Sequence, residues 1–110
     1  ICTTRKDIMT TKNVKVTNMN SPRSGKPVAN QYIIETQKLG GRVQTFQSYK
    51  STIAIIDWGT QPRTIILDKI FWKWSVTTLK YLKEFLGDRS SKKDLQKKID
   101  SGEYKLANLN

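Results

Sequence analysis

The chain has 110 residues, enough for one compact domain. It carries 20 Lys and Arg against 9 Asp and Glu, a net charge of +11, with no His and a single Cys. These counts exclude an internal disulfide, leave no Cys/His zinc set, and remove the commonest general base near neutral pH. The longest apolar run, Ile53–Ile56, is too short to cross a bilayer, so no membrane partner is expected. The composition points toward binding and away from catalysis.

The first eight residues precede Met9, where native translation is expected to begin. They include basic residues but no apolar signal-peptide core, so a cytoplasmic location is expected. Residues 1–12 read as a flexible N-terminal extension and residues 13–110 as a single α+β domain. Cys2 falls in the extension and reads as incidental, since nothing near it forms an electropositive pocket.

From Asn13 to Met19, Val14 and Val16 alternate with Lys15 and Thr17, a strand pattern. Asn20–Pro27 gathers two Pro, a Gly and two Ser and reads as a loop. Val28–Thr36 is a second strand, with Tyr32 and Ile34 on one face and Ile33 on the other. Gly40 and Gly41 suit a hairpin turn. Val43–Asp57 is ambiguous: Phe46, Tyr49, Ile53 and Ile56 fall at helical spacing, yet the β-branched content favours two strands or one bent strand. Trp58–Arg63 is a turn, and Thr64–Asp68 returns as a strand paired with the preceding one.

Beyond Trp74 the period changes. Thr77 or Thr78 is expected to cap a helix with Leu79, Leu82 and Leu86 on its apolar stripe, ended by Gly87. Ser91 opens a second short helix with Leu95 and Ile99 inward and Gly102 at its end. Tyr104, Leu106 and Leu109 add a final short strand. The expected fold is α+β: an antiparallel β-meander of about four to five strands with two short C-terminal helices.

Val16–Tyr32 (VTNMNSPRSGKPVANQY), Phe46–Ala54 (FQSYKSTIA), Trp74–Thr78 (WSVTT) with Lys80–Tyr81, and the closing Gly102–Leu106 (GEYKL) with Asn108–Asn110 form a distinctive series. In this order and spacing they resemble a family of small uncharacterised bacteriophage and prophage proteins. The resemblance runs from residue 14 onward. It implies an accessory protein of a phage or mobile element acting inside a bacterial host, and it supplies no catalytic residues.

Little in the chain suggests chemistry. Asp57 and Asp68 would hold a hard cation if pairing of their strands brought them together; the plainer reading is two strand-end carboxylates capping turn amides. Ser24-Gly25-Lys26 hints at a phosphate loop, but Pro27 forbids the helix such a loop opens. No enzyme activity, cofactor or metal is expected.

Charge is the stronger signal. Residues 1–56 carry nine basic and two acidic side chains; residues 57–110 carry eleven and seven. A nucleic acid, DNA or RNA, is therefore the expected partner, bound by a basic sheet and loop surface. The candidate site residues are Arg23 and Lys26 on the Pro-rich loop, Lys38 and Arg42 at the Gly-Gly turn, Tyr49 and Lys50 at the bend, and Lys73 between two Trp. Backbone amides of residues 20–26 are expected to add phosphate contacts. Phe46, Trp72, Trp74 and Phe85 read as core. A second arrangement places Lys92, Lys93, Gln96, Lys97 and Lys98 on a groove-reading helix, although Asp94 and Asp100 dilute its charge. The alternative partner is a host protein, met through an apolar patch around Trp58, or Trp72 and Trp74.

Overall fold

Residues 14–38 and 40–110 are described in a computed structural model. The expected extension, the Met9 start and Cys2 lie outside the described residues. The elements in chain order are β1 (Val14–Asn20), β2 (Pro27–Lys38), β3 (Gly41–Ser48), β4 (Ser51–Asp57), β5 (Thr64–Asp68), α1 (Val76–Leu86), α2 (Lys92–Asp100) and β6 (Lys105–Ala107). All six strands form one sheet in the order β1-β2-β3-β4-β5-β6. The first five make an antiparallel meander, and β6 adds in parallel beside β5. The sheet thus has six strands, where four to five were expected.

Antiparallel pairing puts alternate residues on opposite faces. One face turns Ile33, Phe46, Ala54, Ile56, Ile65 and Leu67 toward the helices. There they meet Tyr81, Leu82, Leu86 and Leu95, with Phe46 and Phe85 rings 5.8 Å apart. No described helix covers the other face.

The ambiguous 43–57 stretch resolves into β3 and β4, joined by a tight turn at Tyr49–Lys50. Phe46 pairs with Ala54 but Gln47 pairs with Thr52, so Ile53 is an extra residue in β4. This bulge sends Ile53, Ala54 and Ile56 together into the core. Strict period two is broken there, and a helical spacing appears by coincidence.

The first helix begins earlier than expected. Ser75, not Thr77 or Thr78, is its N-cap, with Ser75 Oγ accepting from Thr78 N. Thr78 is buried instead, its hydroxyl accepting from Ser75 Oγ at 3.0 Å. Gly87 ends the helix at φ 66°, in the left-handed region, where a side chain costs energy. Ser91 caps the second helix as expected, accepting from Asp94 N at 3.2 Å.

That second helix is thin, with Leu95 its only fully buried residue. A polar cluster holds it instead. Asp88 Oδ2 accepts from Lys98 Nζ and from Tyr104 Oη, both at 2.6 Å. Lys98 is thereby turned inward and away from the groove-reading face expected of it.

Candidate nucleic-acid interface

The meander sends its connections alternately to two ends of the sheet. At one end lie the β1–β2 loop, the β3–β4 turn and the β5–α1 connection. These three segments, residues 20–27, 49–50 and 69–75, contain Arg23, Lys26, Lys50, Lys69 and Lys73 and no acidic residue. At the other end lie the β2–β3 and β4–β5 turns, with Arg42, Trp58 and Arg63. The twelve-residue β2 separates the ends by roughly 40 Å.

The candidate residues are accordingly split. Arg23, Lys26, Tyr49, Lys50 and Lys73 come together at the first end. Lys38 and Arg42 stand at the second; the Lys38 side chain lies outside the described residues. Between the ends the strands carry Lys15 on β1 and Lys105 on β6, both exposed.

The β1–β2 loop is built on Ser21. Its Oγ accepts from Arg23 N at 3.2 Å and Ser24 N at 3.4 Å, and its carbonyl accepts from Gly25 N at 2.8 Å. Lys26 N donates to Ser24 Oγ at 3.3 Å. The amides expected to meet phosphate are therefore occupied within the loop. What the loop offers is the side chains of Arg23 and Lys26, both on exposed residues.

The Tyr49–Lys50 turn is pinned to β2, Tyr49 N donating to Asn30 O at 2.7 Å. Gln47 Nε2 donates to Tyr49 O at 2.8 Å, which fixes the left-handed backbone there (φ 54°). The Tyr49 side chain is 61% exposed.

The third segment is organised by Asp68, whose Oδ2 accepts from Ile70 N at 3.1 Å and Phe71 N at 2.9 Å. The resulting turn inserts Trp72 into the core and leaves Trp74 outside, 67% exposed and 5.1 Å from the Phe71 ring. Trp74 is thus not the core residue the sequence reading made it. Lys73 Nζ sits 5.5 Å from the Trp72 ring centre. Lys69, which the sequence reading overlooked, joins this end because β5 terminates there.

Asp68 and Asp88 are engaged by hydrogen bonds. Burial raises the Asp68 carboxyl pKa, but hydrogen bonds from Leu109, Phe71, Ile70 and Asn110 outweigh it and hold the group below its ordinary value of 3.8. Burial likewise opposes ionisation of Asp88, and Lys98, Ser90 and Tyr104 overcome it. Among the described residues, two ion pairs form, Arg42–Glu35 at 3.8 Å and Lys98–Asp88 at 2.6 Å. Neither uses a cation of the first end.

Asp57 and Asp68 do not meet. Asp57 pairs with Thr64, so antiparallel register puts Asp68 at the other end of the hairpin. Each caps turn amides, Asp57 Oδ1 accepting from Gly59 N at 2.8 Å.

The second end has a different character. The Arg42 and Arg63 guanidiniums lie 5.3 Å and 5.0 Å from the Trp58 ring centre. Trp58 Nε1 donates to Gln44 Oε1 at 2.8 Å, and Gln44 Nε2 donates to Glu35 Oε1 at 3.1 Å. These contacts immobilise Trp58 at the side of an open cleft of about 860 Å³ that reaches Tyr104 and Lys105.

Among the described residues the fold is α+β, a mainly antiparallel six-stranded sheet with two helices on one face. The chain belongs to a family of unknown function, DUF8033, which matches residues 14–102. No curated protein and no solved structure matches it.

Proposed function

We propose that this protein binds nucleic acid through the β1–β2 end of its sheet. The observation that carries the reading is the coincidence of five cations, no carboxylate and two exposed aromatics, Tyr49 and Trp74, on the three connections of that end. Cations attract the phosphate backbone, and exposed rings stack on unpaired bases, a combination suited to a single strand. Neighbouring strands are about 4.8 Å apart, so the segments follow one another over roughly 20 Å, enough for several phosphates. The role is that of a binding accessory protein without catalysis. The resemblance to phage and prophage proteins supports placing it in the bacterial cytoplasm.

Titration of a labelled single-stranded oligonucleotide across a salt series tests the reading. Affinity should fall steeply with salt. The triple variant Arg23→Ala, Lys26→Ala, Lys50→Ala should weaken binding and lower the steepness of the salt dependence by about 2–3. Arg42→Ala with Arg63→Ala should leave it nearly unchanged. No binding at low salt, or the reverse ranking of these variants, refutes the proposal.

A second reading rests on Ile70, Trp74 and Val76, which are 55%, 67% and 86% exposed around the start of α1. Such a patch suits a host protein partner. Capture from host lysate with and without nuclease separates the two: partners retained after nuclease favour this reading.

A further inference from the structure

The Tyr49–Lys50 turn borders a groove that runs onto the sheet face turned away from the helices. Register aligns Asn18, Tyr32, Gln47 and Thr52 across that face, close to the first end. Val16, Ile34, Thr45 and Ile55 form the next row. The groove is open and holds about 530 Å³, with Tyr32 and Ile34 of β2 between Val16 on β1 and Gln47, Tyr49 and Lys50 on the β3 side. Its lining contains no carboxylate.

Tyr49 stands at this groove against its own preferences. Its left-handed backbone suits Gly or Asn and costs a bulky residue energy. Its ring is mostly exposed, so packing offsets little of that cost. The other non-glycine residue at positive φ among the described residues is Asn30, at φ 67°, and it lines the same groove.

We propose that the groove is a subsite for one unpaired nucleobase, with Tyr32 as its stacking platform on the sheet. The inference rests on the nucleic-acid reading above and extends that surface from the loops onto the strands. Arg23, Lys26 and Lys50 hold phosphates beside the groove, and the rings of Tyr32 and Tyr49 meet the flat face of a base. Val16 and Ile34 add apolar contact. Gln47 Nε2 is tied to Tyr49 O, which leaves Gln47 Oε1 to accept from an N–H on the base's pairing edge. Every base carries such a donor, so the subsite tolerates any sequence. In a duplex the base faces are covered by their neighbours and the pairing edges are taken. A duplex is therefore held through its phosphates alone.

Titrating the protein with a labelled single-stranded thymidylate, the same sugar-phosphate chain without bases, and a duplex tests this. Tyr32→Val keeps a strand-favouring side chain. It should weaken thymidylate binding roughly 5- to 100-fold with unchanged salt dependence, and leave the abasic chain and the duplex unaffected. Tyr49→Gly should weaken thymidylate binding comparably, while its urea midpoint stays level or rises because glycine relieves the left-handed turn. A tyrosine needed only for folding would lower that midpoint. Should Tyr32→Val not fold, methyl NMR of the unaltered protein decides. Thymidylate, but not the abasic chain, should shift the Val16 and Ile34 methyls and leave those of buried Ile53 and Leu67 in place. Equal affinity for thymidylate and the abasic chain, unmoved Val16 and Ile34 methyls, or a folded Tyr32→Val that binds thymidylate normally overturns the subsite and leaves the phosphate contacts standing. No binding of any of the three probes overturns both proposals.

Discussion

Asp68 holds Asn110 in place across the edge of the sheet. One carboxylate oxygen accepts from Asn110 Nδ2 at 3.0 Å and from Leu109 N at 2.8 Å. The other accepts from Ile70 N and Phe71 N, and the residue is 1% exposed. Asn110 reaches on to β4, where its side chain accepts from Thr52 N at 2.8 Å and donates to Thr52 O at 3.0 Å. One buried carboxylate therefore ties β5, the Trp72 turn and the end of the chain together.

Removing that carboxylate strands several donors at once. Asp68→Ala should destabilise the fold by about 2–4 kcal/mol in urea unfolding, since each buried donor left without a partner costs about 1–3 kcal/mol and some reach water. Asp68→Asn should not rescue it, because the amide presents a donor where donors converge. Asn110→Ala should cost only about 1 kcal/mol.

Stability should have both an acid and an alkaline limb. Asp68 and Asp88 titrate below their ordinary 3.8 in the folded state, so their contribution is present above that value. It is lost as pH falls below about 4 toward the folded-state values. Lys98 and Tyr104 are raised above 10.5 and 10.0, Lys98 chiefly by its hydrogen bond to Asp88 and Tyr104 chiefly by burial. Their contribution is present below those values and lost as pH rises beyond about 10. Urea midpoints across pH check this; Asp88→Asn should flatten both limbs.

The two neighbouring tryptophans should separate stability from binding. Trp72 is 1% exposed, and Trp72→Ala should cost about 3–5 kcal/mol. Trp74→Ala should change stability by under about 1 kcal/mol yet weaken oligonucleotide binding by about 1–3 kcal/mol if the ring stacks on a base. Thermal melts and the salt-series titration read the two effects independently.

The second end of the sheet depends on the absence of side chains. A Cβ on Gly41, whose φ is 148°, would lie 2.7 Å from Gly59 Cα and 2.9 Å from Gly59 N. Gly41→Ala should therefore destabilise by about 2 kcal/mol or more and pull the β2–β3 and β4–β5 turns apart. Loss of the Trp58 contacts to Arg42 and Arg63 should appear as a shift in Trp fluorescence.

Local sequence determined most of the elements. Period-two runs marked β1, β2 and β5, Gly87 and Ser91 marked helix boundaries, and the Gly40–Gly41 pair marked a hairpin. Each of these signals acts within a few residues, through φ preference, capping or alternation. Tertiary structure decided the rest. Strand β6 has three residues and exists because β5 offers an unpaired edge; the bulge at Ile53 exists because it brings Ile53 into the same core as Phe46 and Ala54. Whether Trp72 or Trp74 went inside depended on the turn that Asp68 holds with amides of its own loop while it also binds Leu109 and Asn110. The surplus of Lys and Arg was plain in the composition. Its division between two ends of the sheet followed from strand order and register, which arise from contacts between residues far apart in the chain.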